Sequence, residues 1–183
     1  MIRGAARWAA LIAVPTALVA GFVVYRVLRG SDSARPAPTA SAAVQASTPV
    51  VVPAPSLALV DSVVCRVLVS RLPAALRDRP RRPVAGGPEQ NAAYGDPAIT
   101  LSCGATATPS VAPTATVFNL NGVCWYPAAG SSSTVWTTVD RQVPVSVAVP
   151  NSYDGQAQWV NEFSSVVSGA DTATETSPSG CSR

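Results

Sequence analysis

The chain reads as an α+β domain behind an N-terminal transmembrane helix, and three observations predict it. Two stretches, near residues 57–68 and 156–168, place apolar side chains at helical spacing. Between them lie short β-rich runs, one pair of which meets at Asn121-Gly122, a strong hairpin signal. The connections are short, which favours an antiparallel sheet of four or five strands with two flanking helices in a two-layer arrangement.

The N-terminal element comes first. Trp8 to Tyr25 is an uncharged run at the short end of what crosses a hydrocarbon core, preceded by Arg3 and Arg7. Trp8 and Tyr25 stand where interfacial aromatics are expected, and Arg26 can snorkel to the headgroups. A cleaved signal peptide has a shorter apolar stretch with a small-residue site directly behind it, and the nearest such site here surrounds Ser41. No Cys follows the run to carry a lipid, so residues 1–30 are expected to be an uncleaved signal anchor. Arginines on both sides nearly balance, so charge alone leaves the orientation open. Residues 31–56 carry Pro36, Pro38, Pro49, Pro53 and Pro55 among small residues and read as a semi-extended linker.

Four cysteines, Cys65, Cys103, Cys124 and Cys181, all follow this segment. An even number behind a secretory segment predicts disulfides, with three connectivities open to the sequence. The pairs Cys65–Cys103 and Cys124–Cys181 suit the order of elements best. Metal ligation has little support, because the chain has no His and no closely spaced Cys pair. Disulfides persist in an oxidising space, which resolves the orientation: N-terminus inside, C-terminal domain outside the cell membrane, crossed once.

The domain is expected over residues 57–168. Ser56 can cap a first helix from Leu57, whose stripe is Leu57, Val60, Val64, Val67 and Leu68, and Pro73 stops it. Arg77 to Pro88 holds Arg77, Arg79, Arg81 and Arg82 with three prolines and a glycine pair, and reads as an exposed loop. Asp96-Pro97 turns into a strand over 98–103. With a two-residue loop at Asn121-Gly122, Leu120 pairs with Val123 and Phe118 with Trp125, and all four share an apolar face. Cys124 then lies on the other face with Asn119, within reach of a tail cysteine. Strands over 135–140 and 143–149 follow. Their valines occupy odd positions, which by parity sets Trp136 on the opposite face. The last helix, capped by Asp154, buries Trp159, Val160, Phe163, Val166 and Val167. Residues 169–183 form a polar tail held by Cys181.

Composition narrows function. Residues 1–56 hold five Arg and one Asp, and the remainder eight Arg against nine acids, so the domain is near neutral and nucleic acid is not an expected partner. The absence of Lys beside abundant Ala, Val and Pro resembles GC-rich coding, as in actinobacteria. Without His or Lys, the usual activated nucleophiles are missing, and no phosphate loop or calcium loop is present. No cofactor and no catalytic residue is expected. The runner-up is a hydrolase or transferase acting on envelope material through a carboxylate pair such as Asp96 with Asp140. The candidate binding surface is Trp136, an aromatic platform if neither a helix nor the linker covers it, with Arg79, Arg81 and Arg82, which otherwise belong to a solvated loop.

Several segments together resemble a known family. They are Cys65 with Leu72-Pro73, the run Tyr94-Gly95-Asp96-Pro97 through Cys103-Gly104, Asn121 to Trp125, and Trp136 to Arg141. These resemble the actinobacterial envelope family catalogued as domain of unknown function 3515. The resemblance covers about residues 57–168 and implies an N-terminally anchored, mainly extracytoplasmic protein, with no activity or catalytic residue to carry over. The expected function is a non-catalytic envelope binding or accessory module, with the membrane and an envelope protein or cell-wall component as partners.

Overall fold

The structure is a computed structural model that describes residues 22, 24–26, 46, 48–104, 107–175, 178 and 180–181. The chain divides into two units, Met1–Val44 and Gln45–Arg183. In the first, Phe22 and Val24 to Arg26 are helical, and the Arg26 guanidinium lies 5.0 Å from the Phe22 ring centroid. The rest of the expected anchor, Trp8 to Tyr25, lies outside the described residues. Among the described residues no helix is long and apolar enough to cross a membrane.

The second unit is α+β, as its patterning predicts. Among its described residues ten strands and two helices follow in order: β1 (Val50–Val51), α1 (Leu59–Ser70), β2 (Ala75–Leu76), β3 (Arg79–Arg82), β4 (Val84–Ala85), β5 (Asn91–Tyr94), β6 (Ile99–Cys103), β7 (Phe118–Leu120), β8 (Val123–Ala129), β9 (Ser133–Thr138), β10 (Val145–Pro150) and α2 (Gln156–Ala170). The main sheet has eight strands in the order β2-β3-β5-β6-β10-β9-β8-β7, antiparallel throughout. This exceeds the four or five strands expected. The added strands come from 75–94, of which Arg77 to Pro88 reads in sequence as an exposed loop and instead holds β3. β5 is Asn-Ala-Ala-Tyr, with no β-branched residue, yet all four of its residues are buried. Small side chains suit a strand covered on both faces. β3 pairs with it through Arg81↔Tyr94 and Arg82↔Ala93.

The expected linker ends earlier than composition suggests. β1 pairs in parallel with β4, and the side chains of Gln90 and Asn91 donate to the carbonyls of Pro55 and Pro53 at 3.2 and 3.1 Å. The segment before α1 is thereby strapped to the domain, so α1 starts at Leu59 behind Ala58 without a side-chain cap at Ser56. Its buried face rotates accordingly to Cys65, Leu68 and Val69, while Val60 is exposed.

The hairpin forms in the expected register, Leu120↔Val123, Asn119↔Cys124 and Phe118↔Trp125. Asn121 and Gly122 both take positive φ, 48° and 77°, as a two-residue hairpin turn of this hand requires. In α2 the expected face is buried at Trp159, Val160, Phe163 and Val167. Gly155 is its N-cap, and Asp154 supplies its carbonyl to Trp159 Nε1 at 3.1 Å. The core lies between the helices and one sheet face, where Leu68, Ile99, Leu101, Trp125, Val145, Val147 and Phe163 meet. A smaller cluster around Cys124, Val139 and Cys181 sits apart from it.

Both expected disulfides are present, Cys65–Cys103 in the main core and Cys124–Cys181 in the smaller cluster, with Cα separations of 5.5 and 5.8 Å. The tail is also held upstream of Cys181. Ala173 bridges Arg141, and Thr174 N–H donates to the Asp140 carbonyl at 2.9 Å.

Candidate functional site

The residues expected to form one binding surface do not come together. Trp136 is 5% exposed and belongs to the main core. Register, not alternation within one strand, sets its face. Trp136 pairs with Val147, so even positions of β9 share a face with odd positions of β10. Phe118 packs against the Trp136 ring at 5.2 Å between centroids. Trp136 is therefore no exposed platform, and its Nε1 has no hydrogen-bond partner among the described residues. Trp125, by contrast, donates to Ser164 Oγ on α2 at 3.0 Å.

The three arginines lie on β3, on the far side of β5, β6 and β10 from β9, and two of them serve the fold. Arg82 donates to the carbonyls of Gly95 at 3.0 Å and Thr48 at 2.8 Å, and lies 3.5 Å from Asp96. Arg79 sets its guanidinium 5.7 Å from the Tyr153 ring centroid. Arg81 is exposed, with one long contact, 3.5 Å, to the Val69 carbonyl. The Gly95-Asp96-Pro97 segment is gripped from two sides, since the Tyr153 hydroxyl also donates to the Pro97 carbonyl at 2.8 Å. At Gly95, φ is +70° and a Cβ would meet the Tyr153 hydroxyl at 2.9 Å, so only glycine fits there without strain.

Asp96 and Asp140, the two carboxylates considered for an envelope hydrolase, do not come together. Asp96 precedes β6, while Asp140 follows β9. Since β10 runs antiparallel to both strands, with Val145 opposite Cys103, the two acids lie at opposite ends of the sheet. Asp140 instead neighbours Arg141 and Asp171, a residue that reads in sequence as part of a polar tail. All three are buried. Asp140 Oδ1 accepts from Cys124 N–H at 3.1 Å and lies 3.5 Å from Arg141 Nε. Asp171 accepts from Val143 N–H at 3.2 Å, and Arg141 donates to the Asp171 and Gly122 carbonyls. Burial pushes the Asp171 carboxyl up to about 6, against the opposing pull of the Val143 N–H and Arg141. Backbone groups and Arg141 occupy these acids, so the cluster fastens the hairpin, the β9–β10 connection and the end of α2 to one another.

A different concavity is better suited to a ligand. Arg77, in the β2–β3 turn, donates through Nε to Glu162 at 2.9 Å and through Nη2 to the Gln158 carbonyl at 3.2 Å. Its guanidinium lies 4.6 Å from the Trp159 ring centroid. This fixes a cation beside a cleft of about 380 Å³. Arg77, Asn119, Leu120 and Asn121 line one part of it, and Ala157, Gln158 and Asn161 of α2 the other. Asn119 Oδ1 accepts from Gly122 N–H at 3.1 Å, which holds that amide in place. Four residues with carboxamide side chains and Arg77 are among those that line the cleft, and no acid is. A carboxamide carries a donor and an acceptor side by side, although the Asn119 oxygen already accepts from Gly122 N–H, and the Arg77 guanidinium has N–H groups beyond those given to Glu162 and Gln158. That set suits hydroxyl, amide and carboxylate groups together. Sequence alone scatters these residues over three elements. The one local signal is the Asn-rich hairpin, and Gln158 and Asn161 read as the wet side of a helix.

A disulfide-stapled domain of two helices and an eight-stranded antiparallel sheet, with an amide-lined cleft at its helix–hairpin junction, is the class that fold and site define. The chain belongs to the family described as protein of unknown function (DUF3515), whose model matches residues 12–176. No curated protein and no solved structure matches it.

Proposed function

We propose that this protein is a membrane-anchored, extracytoplasmic module of the cell envelope that binds a wall component without chemistry at the bound molecule. The observation that carries the binding reading is the cleft, lined by four carboxamide residues and Arg77 and by no carboxylate. Fragments of a cell-wall glycopeptide offer what such a lining recognises: hydroxyls, secondary amides and a carboxylate. The two disulfides support a compartment that permits oxidation. The uncharged run Trp8 to Tyr25 supports the anchor.

Calorimetric titration of the full chain in detergent with soluble muropeptides tests this reading. Saturable binding is expected, weakened about tenfold or more by Asn161→Leu, which removes one donor–acceptor pair and leaves its partners on the ligand unsatisfied. No heat of binding, or binding that Asn161→Leu leaves unchanged, rejects the cleft as the site.

A further inference from the structure

The surface of α1 carries apolar side chains that the fold leaves uncovered. Leu59 is 86% exposed, Val60 72% and Val63 57%, three of the five large hydrophobic residues exposed among the described residues of the second unit. The other two, Val51 and Phe118, lie on different elements. At about 100° per residue, Leu59, Val60, Val63, Arg66, Val67 and Arg71 fall in one arc of roughly 140°. The one acid of the helix, Asp61, lies outside it on the side of Cys65 and Leu68. Arg66 and Arg71 are both exposed, and Arg71 also donates to the Gly169 carbonyl at 2.7 Å. The face is thus apolar at its start and cationic toward its end.

We propose that this face of α1 docks on an anionic lipid surface. The inference rests on the anchoring reading in one respect, that the domain stays near a bilayer. Charge and size favour lipid over a protein partner. The arc carries two arginines and no acid of its own, which complements anionic headgroups, while Glu89 lines with Arg66 the concavity beside it. The exposed apolar part of the arc is three side chains, against roughly 20–30 residues a side at a standard protein interface. The arc also lacks the Trp and Tyr anchors that concentrate binding energy at such interfaces. Shallow insertion of Leu and Val beneath arginines that reach the headgroups is how interfacial helices bind.

The test uses the full chain reconstituted into phosphatidylglycerol vesicles, with a nitroxide attached through Val63→Cys or, in a second preparation, Leu59→Cys. Flotation with the vesicles reports anchoring independently. The label's collision rates with oxygen, which partitions into lipid, and with a water-soluble nickel chelate report docking. The oxygen-to-nickel ratio at either α1 site is expected to exceed that of a label at Ser165→Cys, exposed on α2, by at least threefold, and to fall threefold in phosphatidylcholine. Floating protein with a water-like ratio at both α1 sites overturns docking while leaving the anchor intact. Dipolar broadening between labels assigns the face to a second copy and also overturns it. An unchanged ratio in phosphatidylcholine overturns the anionic assignment.

Discussion

Replacing Cys65 and Cys103 together by Ala is expected to lower stability by about 4 kcal/mol, the loop-entropy value for the 38 residues that the bond spans. The bond joins α1 to β6 at the centre of the main core, where both cysteines are buried. In the unfolded chain the same link removes conformations that α1 would otherwise explore. A second contribution adds to the loss, because Ala fills less of the core that the two cysteines share with Leu68. Chemical denaturation of the full chain under non-reducing conditions measures it. A change below about 1 kcal/mol would mean that the denatured chain is already constrained there.

The second large effect concerns Arg141. Its replacement by Leu leaves Asp140 and Asp171 buried without their cation, and breaking a buried pair in this way costs about 3–5 kcal/mol. The loss should be largest at neutral pH, because Asp171 takes up a proton below about 6. The wild-type pH dependence has a definite sign. A carboxyl raised from 3.8 to about 6 binds more protons in the folded chain than in the unfolded one between those values. Stability from this group is therefore fully present below pH 4 and is lost as pH rises toward 6, by up to about 3 kcal/mol. Comparing wild type with Asp171→Asn by urea denaturation from pH 4 to 7 isolates the contribution. The Asn variant should gain on wild type across that window, and a constant difference contradicts the assignment.

What could be read from sequence was local and periodic. Asn121-Gly122 fixed one hairpin, because a turn with two positive φ values and an alternating apolar pattern allow a single register. The buried face of α2 followed from the spacing of Trp159, Val160, Phe163 and Val167, and the second disulfide from the face assigned to Cys124. Strands β3 and β5 were hidden for a physical reason. Their stability comes from backbone pairing and from cover by the strapped segment at 48–56, neither of which leaves a hydrophobic alternation in Arg-Pro-Arg-Arg or Asn-Ala-Ala-Tyr. Trp136 shows the limit of parity. Alternation assigns faces within a strand, but the offset between β9 and β10 depends on the loop that joins them. Asp171 was hidden because a polar residue after a helix resembles solvated tail until Arg141 is seen beside it. The cleft depends on tertiary contact altogether, since Arg77 and Asn121 meet only through α2.

The proposal as a whole depends on where the domain matures. Alkaline phosphatase fused after Arg183, a reporter that folds only when exported, gives the most direct measurement in intact cells. High phosphatase activity is the result expected for an anchored extracytoplasmic domain. An inactive fusion, with the protein stably produced, contradicts it.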